Sequence, residues 1–503
     1  MSQIDSMPSL FRSFLRLSAG AFLLGGALVL AGCRTIEPRA DLRTFEYPFV
    51  DDYSVVNRAT FSWQDEFLSA SSDIYSQNLA GPLAALSGAV YGYHLEMDVH
   101  SLEGLGFDRA RMVRCYGKEL NYQDPVYGLN LVGFTLATKR VLFEGVPRDV
   151  IFIVLRGTFG RDEWVSNMNV CNTWGAAENP DPAAIPALHE GFRLAADQVE
   201  NALVAFVRTN NLDLASAKVV ITGHSRGAAV ANILGARLDD AAQAKGRSPF
   251  AALSRQNVFV YTFASPNTVL RTDVDVRSPR YGNIFNVINP EDIVPRVPIA
   301  RWQARRFGRD LNLLDYDSLS LWGLCWNDAY GDMKDAVKEM CGYEWWHLPF
   351  GTNSVCAVPT LLGNVAPTLV DLYAIPPGQR QVGHLTSVQS IVEHAIYRAV
   401  SPTGQDDWNT SLGRDVANLS EVFRLFEHPL EKSIHNQVFY YPDGHDFSRQ
   451  PGMFNFVWRI ICTHAPATYV GWMKSAEKNG PASVFTNWSD RDSRPLTSTT
   501  KEK

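Results

Sequence analysis

Short apolar runs alternate with helical patterns through the central part of the chain. The segment 148–158 contains six consecutive apolar residues, which is typical of a strand buried on both faces. Similar runs at 217–223, 257–266 and 283–292 predict three further strands. Strands that alternate with helices in this way indicate an α/β fold with a mainly parallel central sheet.

Helices are predicted between and before these strands. One amphipathic face spans 190–209, with apolar residues at helical spacing: Phe192, Ala195, Val199, Leu203 and Phe206. A second helical face follows Ser225 and ends near Gly246. A third helix, rich in small residues, is predicted from Asn78 onward.

The alternating pattern breaks after Pro298, where the chain becomes rich in Trp, Pro and Gly. Helical patterns remain at 383–400 and 413–427. A strand is then predicted at 437–441, followed by a helix over 453–474. We expect these last two elements to return the chain to the sheet, so that the preceding stretch is an insertion.

The N-terminal region has the pattern of an export signal. Arg12 and Arg16 precede an apolar run, Leu17–Leu30, which is too short to span a membrane and has the length of a signal-peptide core. The run leads into Leu-Ala-Gly-Cys ending at Cys33, which resembles a bacterial lipobox whose cysteine is lipidated. The alternatives are an ordinary signal peptide with a coincidental cysteine and a buried core helix.

The resemblance to a lipobox implies a protein anchored in the bacterial cell envelope. Arg34, rather than aspartate, follows the cysteine, which by the lipoprotein sorting rule implies the outer membrane. An anchor of this kind predicts that the protein works at a membrane surface.

Charge and cysteine content narrow the possible partners. The chain has 503 residues, 46% of them hydrophobic, and a formal net charge of −7 without a long Lys/Arg run. This argues against nucleic acid as the main partner.

Six cysteines remain after Cys33, so disulfides and buried thiols are equal alternatives. No Cys or His spacing indicates zinc, and we expect no cofactor.

The predicted strand at 217–223 runs directly into Gly-His-Ser-Arg-Gly, centred on Ser225. This fits G-x-S-x-G, in which a sharp strand-to-helix turn exposes a serine hydroxyl and glycines avoid a clash. The pentapeptide alone is common, and its alternative is a glycine-rich turn with a capping serine. The strand before it and the amphipathic helix after it favour a nucleophile.

A serine hydroxyl needs a base, and the base needs a carboxylate that orients it. In α/β folds that use this serine motif, the order along the chain is serine, acid, histidine. Asp292 follows the last predicted strand of the central region and is the candidate acid, with Glu291 as the runner-up. Taken alone, Asp292 would be a turn or helix-capping aspartate.

Five ordered segments resemble the fungal-lipase-like, class 3 lipase family of α/β-hydrolases. They cover roughly 78–300: VLRGT (154–158) with DEW (162–164), HEGF (189–192), TGHSRGAA (222–229), VYTFASPNTV (260–269) and EDIVPRVP (291–298). The resemblance implies an α/β-hydrolase fold and ester hydrolysis, with a lid over the segment 159–176. It also implies that no metal or organic cofactor takes part.

The resemblance also implies roles for individual residues. Ser225 becomes the nucleophile and Asp292 the acid, while the backbone N–H groups of Thr158 and Arg226 form the oxyanion hole. The Thr158 hydroxyl is a candidate third donor. The chain departs from the family at Arg226, where a small or apolar residue is common, and at Ala228, where glycine is common.

The resemblance also implies a base near the C-terminus, after the last strand, with a tyrosine about five positions after the histidine. His464 has this spacing to Tyr469 and is the candidate base. Other candidates are His394, His384 and His445. The histidine next to the serine, at position 224, is expected to be a packed structural residue because an adjacent side chain does not easily reach the serine hydroxyl.

Together these observations predict a membrane-anchored serine hydrolase that cleaves lipid esters, similar to a triacylglycerol lipase. Alternatives are a phospholipase, a small-ester esterase or an acyltransferase on the same three residues, and a non-catalytic envelope lipoprotein. The expected organisation is as follows: signal peptide (1–32), lipidated cysteine and tether (33–75), α/β-hydrolase core (76–300), helical or irregular cap (301–435), end of the core with the catalytic histidine (436–475) and a disordered tail (476–503).

Overall fold

The structure is a computed structural model of the chain. It describes residues 42–49, 52–159 except 122, 125 and 129, 163, 166–167, 187–244, 248–314 except 293 and 297–303, 325–342 and 462–489. Within these residues, no helix combines the length and the apolar character that crossing a membrane requires.

A seven-stranded sheet forms the centre of the described chain, with its strands adjacent in the order of the sequence. The strands are β3 (Met112–Cys115), β4 (Phe134–Phe143), β5 (Val146–Leu155), β6 (Lys218–His224), β7 (Val258–Phe263), β8 (Ile284–Ile288) and β9 (Arg309–Asn312). The first three pair antiparallel, and β5 to β9 pair parallel. The mainly parallel sheet expected from the sequence is confirmed.

Helices cover both faces of this sheet, which is why its central strands are apolar on both sides. They are α1 (Gln77–Ala89), α2 (Met97–Gly104), α3 (Glu190–Thr209), α4 (Arg226–Ala244), α5 (Cys325–Cys341) and α6 (Pro466–Asn479). Short 3₁₀ segments lie at Asp65–Leu68, Val90–Leu95, Arg109–Arg111, Gly117–Glu119, Arg255–Asn257, Pro279–Tyr281, Val294–Arg296 and Pro481–Ser483.

The two faces of β5 contribute to two separate hydrophobic cores. Val150, Phe152 and Val154 pack into one core, together with residues of α1, α5 and α6. The alternate residues of β5 pack into the other, together with residues of α3 and α4. This period-2 division buries the strand completely and fixes its register against the helices.

The predicted tether over 33–75 was wrong for residues 42–75. These residues begin with a two-stranded sheet formed by β1 (Leu42–Phe49) and β2 (Asp52–Ser62). Phe45, Tyr47 and Phe61 are buried in the same core as α1. An isolated hairpin is only marginally stable in water, so the apolar face it buries against the helices holds this one in place.

Two other segment boundaries also require correction. The cap predicted over 301–435 contains β9, which is the seventh strand of the central sheet, and α5, which packs on the α6 side of the core. The disordered tail predicted from 476 contains the end of α6, and its buried residue Phe485 bridges to Leu313. Residues 301–303, 315–324, 343–435 and 490–503 of these segments lie outside the described residues, as does the strand predicted at 437–441.

Helix boundaries agree with the sequence except at the C-terminal end of the chain. The helix predicted over 190–209 has these bounds. Of the helix predicted over 453–474, residues 453–461 lie outside the described residues. Residues 462–464 are helical, and after a bend at Ala465 a helix runs over Pro466–Asn479, beyond the predicted end. Proline is favoured at the first position of a helix, where its missing N–H costs nothing, so Pro466 marks this start.

Candidate active site

The serine motif lies where β6 passes directly into α4. Ser225 is the single residue between them and has a left-handed backbone, with φ of 57°. A non-glycine residue in this region is strained, and such strain persists only where surrounding contacts impose it. One such contact is the hydrogen bond that the Ser225 N–H donates to the carbonyl of Phe263 at 2.9 Å. The turn therefore holds the serine in a fixed direction.

The two glycines of the motif allow close backbone packing. A Cβ on Gly227 would lie 2.4 Å from the carbonyl oxygen of Leu155, at the end of β5. A Cβ on Gly223 would lie 2.6 Å from the backbone of Gly227. On the opposite segment, a Cβ on Gly157 would lie 2.9 Å from the His224 carbonyl oxygen. The serine turn and the segment after β5 are therefore in backbone contact.

Ser225, His464 and Asp292 form a hydrogen-bonded series. His464 Nε2 lies 3.0 Å from Ser225 Oγ, and its Nδ1 lies 2.8 Å from Asp292 Oδ2. A carboxylate only accepts hydrogen bonds, so Nδ1 carries the proton and Nε2 is left to accept from the serine hydroxyl. Asp292 is fully buried, whereas the His464 side chain is 23% exposed. The imidazole can therefore be reached by a reactant.

Asp292, rather than the neighbouring Glu291, is the carboxylate that meets the imidazole. Its Oδ2 also accepts from the Tyr469 hydroxyl at 2.7 Å, and its Oδ1 accepts from the Val294 N–H at 2.9 Å. Burial and the nearby carboxylate raise the pKa of Tyr469, so its hydroxyl keeps its proton and donates it. The carboxylate is therefore fixed at both oxygens.

Asn289 connects the loop that carries Asp292 to the segment that carries His464. Its Nδ2 donates to the carbonyl of Thr463 at 2.9 Å, and its N–H donates to the Tyr469 hydroxyl at 3.3 Å. These bonds join the end of β8 to the start of α6 across a long separation in sequence. They explain how a distant histidine is held beside its carboxylate.

His224 has the structural position that the sequence predicts. Its Nε2 donates to the carbonyl of His464 at 2.7 Å, because a carbonyl oxygen only accepts. Its Nδ1 must then accept from the Tyr91 hydroxyl at 3.0 Å. Burial, followed by the nearby His464, lowers the pKa of His224, so the ring stays neutral in this network.

Thr158 and Arg226, the two residues that the family resemblance assigns to the oxyanion hole, lie on facing segments. Thr158 follows β5, directly after Gly157, and Arg226 is the first residue of α4. The Arg226 side chain is 1% exposed and donates to Asn167 Oδ1 at 3.0 Å and to the Leu131 carbonyl at 3.1 Å. Its guanidinium is thus engaged inside the protein, and the backbone N–H begins the helix.

A buried ion pair holds the segment that leads into Thr158. Arg156 donates to Glu163 at 2.6 Å, and the other carboxylate oxygen of Glu163 accepts from the Phe159 N–H at 2.7 Å. The Arg156 guanidinium also lies 5.0 Å from the ring centre of Tyr93. Charge-assisted bonds of this kind are strong in a buried setting and keep the turn around Thr158 rigid.

The sequence did not reveal several residues of this site. Tyr91, Asn167 and Asn289 contact the candidate residues, but none belongs to a pattern with a chemical reading in a single sequence. Tyr469 could be found through its spacing from His464. These residues act through contacts made in the folded chain, and no periodicity marks them.

Some predicted residues lie outside the part of the chain that the structure describes. These are the candidate lipidation residue Cys33 and the alternative bases His394, His384 and His445. Among the described residues, no group of His, Cys, Asp or Glu side chains has the arrangement to hold a metal ion. Cys115 and Cys341 are thiols, and burial raises the pKa of Cys341 to about 12.

A mainly parallel sheet with a serine on the strand-to-helix turn and a histidine and an aspartate on later loops is the arrangement of the α/β-hydrolase fold. The family model for class 3 lipases matches residues 152–302, which include the serine turn and the aspartate loop. Through this region the chain is similar to class 3, fungal-lipase-like lipases.

Curated relatives of the chain include two fungal lipases. A lipase of Rhizomucor miehei is 29% identical over 186 residues, covering 35% of this chain and 46% of the relative. The secreted mono- and diacylglycerol lipase 1 of Fusarium solani is 27% identical over 172 residues, covering 33% and 46%. The chain thus spans about half the length of the curated relatives that it matches.

Solved structures similar to the chain also include fungal lipases. The native propeptide complex of Rhizomucor miehei lipase is 21% identical, with a TM-score of 0.32, covering 47% of this chain and 68% of that chain. Lipase II from Rhizopus niveus is 18% identical, with a TM-score of 0.30, covering 47% and 79%.

Proposed function

We propose that the protein is a serine hydrolase that cleaves carboxylic ester bonds of lipids through an acyl-enzyme. The observation that carries this proposal is the His464 ring, whose nitrogens lie 3.0 Å from Ser225 Oγ and 2.8 Å from Asp292 Oδ2. This is the geometry needed for a base that activates a hydroxyl and is itself oriented by a carboxylate. The names of the two curated fungal relatives supply the substrate class, lipid esters.

The reaction begins when Ser225 Oγ attacks the ester carbonyl carbon while His464 Nε2 takes the hydroxyl proton. The carbonyl oxygen becomes an oxyanion that accepts from the N–H groups of Thr158 and Arg226. Asp292 stabilises the positive imidazolium. When the C–O bond breaks, His464 returns its proton to the departing alcohol, and the acyl group stays on Ser225.

Water completes the cycle. His464 Nε2 takes a proton from a water molecule, whose oxygen attacks the acyl carbon on Ser225. The second oxyanion collapses, the Ser225 oxygen leaves and receives the proton from His464, and the carboxylic acid is released. All of the proton transfers use the same imidazole, so its tautomer and position control both halves of the reaction.

Two measurements test this proposal: labelling by a fluorophosphonate probe and hydrolysis of a lipid ester. Wild-type protein is expected to react with the probe and to hydrolyse the ester, because both reactions need an activated serine. Ser225→Ala and His464→Ala are each expected to lower kcat by about 10⁵–10⁶-fold, since nucleophile and base act as a unit. Tyr330→Phe, distant from Ser225 in the sequence and located on α5, is the control for substitution of a buried residue.

Substrate profiling separates the alternatives that use the same residues. Activity that rises from short to long acyl chains supports a lipase, whereas a preference for short chains indicates a small-ester esterase. Activity confined to phospholipids indicates a phospholipase. If folded wild-type protein shows neither labelling nor hydrolysis, the result supports the alternative of a non-catalytic binding protein with a hydrolase fold.

We also propose that the protein is anchored to the bacterial envelope through lipid on Cys33. The support is the sequence pattern alone: two arginines, a short apolar run and the Leu-Ala-Gly-Cys sequence. Labelled fatty acid is expected to be incorporated into wild-type protein and lost in Cys33→Ala, with the protein moving from the outer-membrane fraction. Retention of the label in that variant would contradict the assignment.

A further inference from the structure

A buried arginine joins the two loops that follow β7 and β8. Arg306 is 8% exposed and lies just before β9. Its guanidinium donates to the carbonyl of Ser265, on the loop after β7, and to the carbonyl of Pro295, on the loop after β8, at 2.7 Å. The nitrogens of a guanidinium lie in one rigid plane, so it holds two acceptors at a set separation. One side chain therefore connects the two loops.

Both loops carry parts of the candidate site. Pro295 directly follows Val294, whose N–H donates to Asp292 Oδ1 at 2.9 Å. At the end of β7, the carbonyl of Phe263 accepts from the Ser225 N–H at 2.9 Å. The arginine thus lies between the turn that binds the carboxylate and the segment that binds the serine turn.

The positive charge of Arg306 also acts on the candidate acid. Burial and the Asp292 carboxylate raise the pKa of Tyr469, and the Arg306 guanidinium acts against this rise. The Tyr469 hydroxyl lies 2.7 Å from Asp292 Oδ2, so the same charge acts on the carboxylate and on the imidazole that it orients. A guanidinium is not deprotonated in proteins, so this influence is present at every assay pH.

Charged and titratable groups approach Arg306 from several segments of the described chain. Asp310 on β9 forms an ion pair with it, with 3.3 Å between Nε and Oδ1. The others are Arg277, which precedes β8, Arg296, on the turn after the candidate acid, and Tyr469, on α6. Within this group Asp310 supplies the negative charge, so it partly compensates the guanidinium.

Three groups face the His464 imidazole: Asp292, Ser225 and His224. The ring centres of His224 and His464 are 4.7 Å apart. Burial, followed by His464, lowers the pKa of His224, so this neighbour stays neutral. A change of charge at a more distant residue can therefore be measured through the imidazole without interference from His224.

We propose that Arg306 is a positioning residue that holds the Asp292 turn through two carbonyls and sets, through its charge, the lowest pH at which His464 acts as a base. The inference rests on the proposed hydrolase function and adds a residue to that site. A nearby cation disfavours the imidazolium, so it extends the action of the base toward lower pH. The partner carboxylate of Asp310 limits this effect.

Arg306→Met keeps the length of the side chain and removes both the donors and the charge. We expect kcat for a lipid ester to fall by about 10–100-fold, since small displacements of a catalytic group are costly. The acid limb of the pH profile of kcat/KM reports the base in the free enzyme. We expect this limb to shift upward by about 0.5–1 pH unit, because loss of the cation stabilises the imidazolium.

Asp310→Asn changes the same ion pair with the opposite sign. It removes a negative charge at nearly constant size and leaves the Arg306 charge less compensated. The acid limb is therefore expected to shift downward, by about 0.2–0.5 pH unit. Arg306→Lys keeps the charge and loses the planar fork, so it is expected to lower kcat with the acid limb near that of the wild type. Loosened packing does not predict opposite shifts from two variants that break one ion pair.

The neighbouring residue Arg305 provides the matched control. It donates to the carbonyls of Thr272 at 2.9 Å and Val274 at 3.1 Å, near the surface. Arg305→Met removes the same charge and the same kind of backbone contact, but solvent screens that charge. Its acid limb is expected to lie within about 0.2 pH unit of the wild type.

Several outcomes would overturn the inference. One is an acid limb that Arg306→Met leaves unchanged or that Arg305→Met shifts equally. Another is a shift of the same sign in Arg306→Met and Asp310→Asn. A fall in kcat without any shift indicates a structural role alone and also overturns it. If Arg306→Met does not fold, Asp310→Asn decides: a downward shift supports the inference, and no shift overturns it.

The failure of this inference is distinguishable from failure of the proposed function. If wild-type protein hydrolyses the ester and the variants share its pH profile, only the inference is wrong. If folded wild-type protein neither hydrolyses the ester nor reacts with a fluorophosphonate, both are wrong.

Discussion

At the scale of single residues, the site is organised by groups that can only accept or can only donate hydrogen bonds. The Asp292 carboxylate and the His464 carbonyl only accept, and the Arg226 guanidinium only donates. Each fixes the tautomer or orientation of the group beside it: His464, His224 and Asn167. The proton positions therefore follow from chemical type and need no direct observation. The serine hydroxyl can therefore donate to His464 Nε2.

His189 predicts a measurable dependence of stability on pH. Burial lowers its pKa to about 3 in the folded protein, whereas an unfolded histidine titrates near 6.5. Because the folded pKa is depressed, the stabilising effect is complete above pH ~6.5 and is lost as the pH falls toward 3. Between these two pH values, protonation of His189 in the unfolded chain lowers the free energy of unfolding by about 1.4 kcal/mol for each unit that the pH falls.

His189→Asn removes this titration and retains a side chain that caps helices well. Urea unfolding at pH 7, 5 and 4 is expected to give wild-type protein a steeper loss of stability than the variant. His224 and the carboxyl groups are present in both proteins, so their contributions cancel in the difference. Equal slopes for the two proteins would show that His189 does not titrate in this way.

At the scale of elements, the crossing of β5, β6 and α4 was largely predictable. The apolar runs and the G-x-S-x-G spacing depend on local sequence, and the strand, turn and helix lie where they were predicted. The sequence could not show that the Gly227 position abuts the backbone of Leu155. That contact joins residues far apart in the chain, and a single sequence carries no direct record of it.

Two glycine substitutions measure how much this crossing depends on close packing. In Gly227→Ala, the new Cβ would meet the carbonyl oxygens of Leu155 and Arg156 at 2.4 and 2.6 Å. Neither oxygen can move without disturbing β5, so we expect a loss of roughly 1–3 kcal/mol in stability and a large fall in kcat. Unfolding curves and ester hydrolysis are the measurements.

Gly331→Ala is the matched control, because this glycine lies within α5 and its Cβ would have no atom within 4 Å. Alanine is the better helix former, so this variant is expected to gain about 0.5–1 kcal/mol in stability and to keep its activity. A Gly227→Ala protein as stable and active as Gly331→Ala would contradict the close packing at the serine turn.

At the scale of the whole molecule, the interpretation of the N-terminal segment was the largest error. Residues 42–62 include alternating apolar positions, such as Phe45 and Tyr47 on β1, which predict a strand with one buried face. The pattern is short and the partner surface comes from α1, α5 and α6, which are distant in sequence. The local sequence pattern therefore did not lead to a strand prediction, although tertiary packing makes this hairpin part of the core.

Phe61 and Val56 test whether this hairpin belongs to the folded core, since both lie on β2. Phe61 is 2% exposed, a Cβ on Gly81 of α1 would lie 2.5 Å from its ring, and the Lys474 ammonium lies 4.5 Å from its ring centre. Phe61→Ala is therefore expected to cost about 3–5 kcal/mol, as for other buried aromatic residues. Val56 is 38% exposed, and Val56→Ala is expected to change stability by less than about 0.5 kcal/mol. Urea unfolding of both variants gives the comparison, and a tether would leave both values near zero.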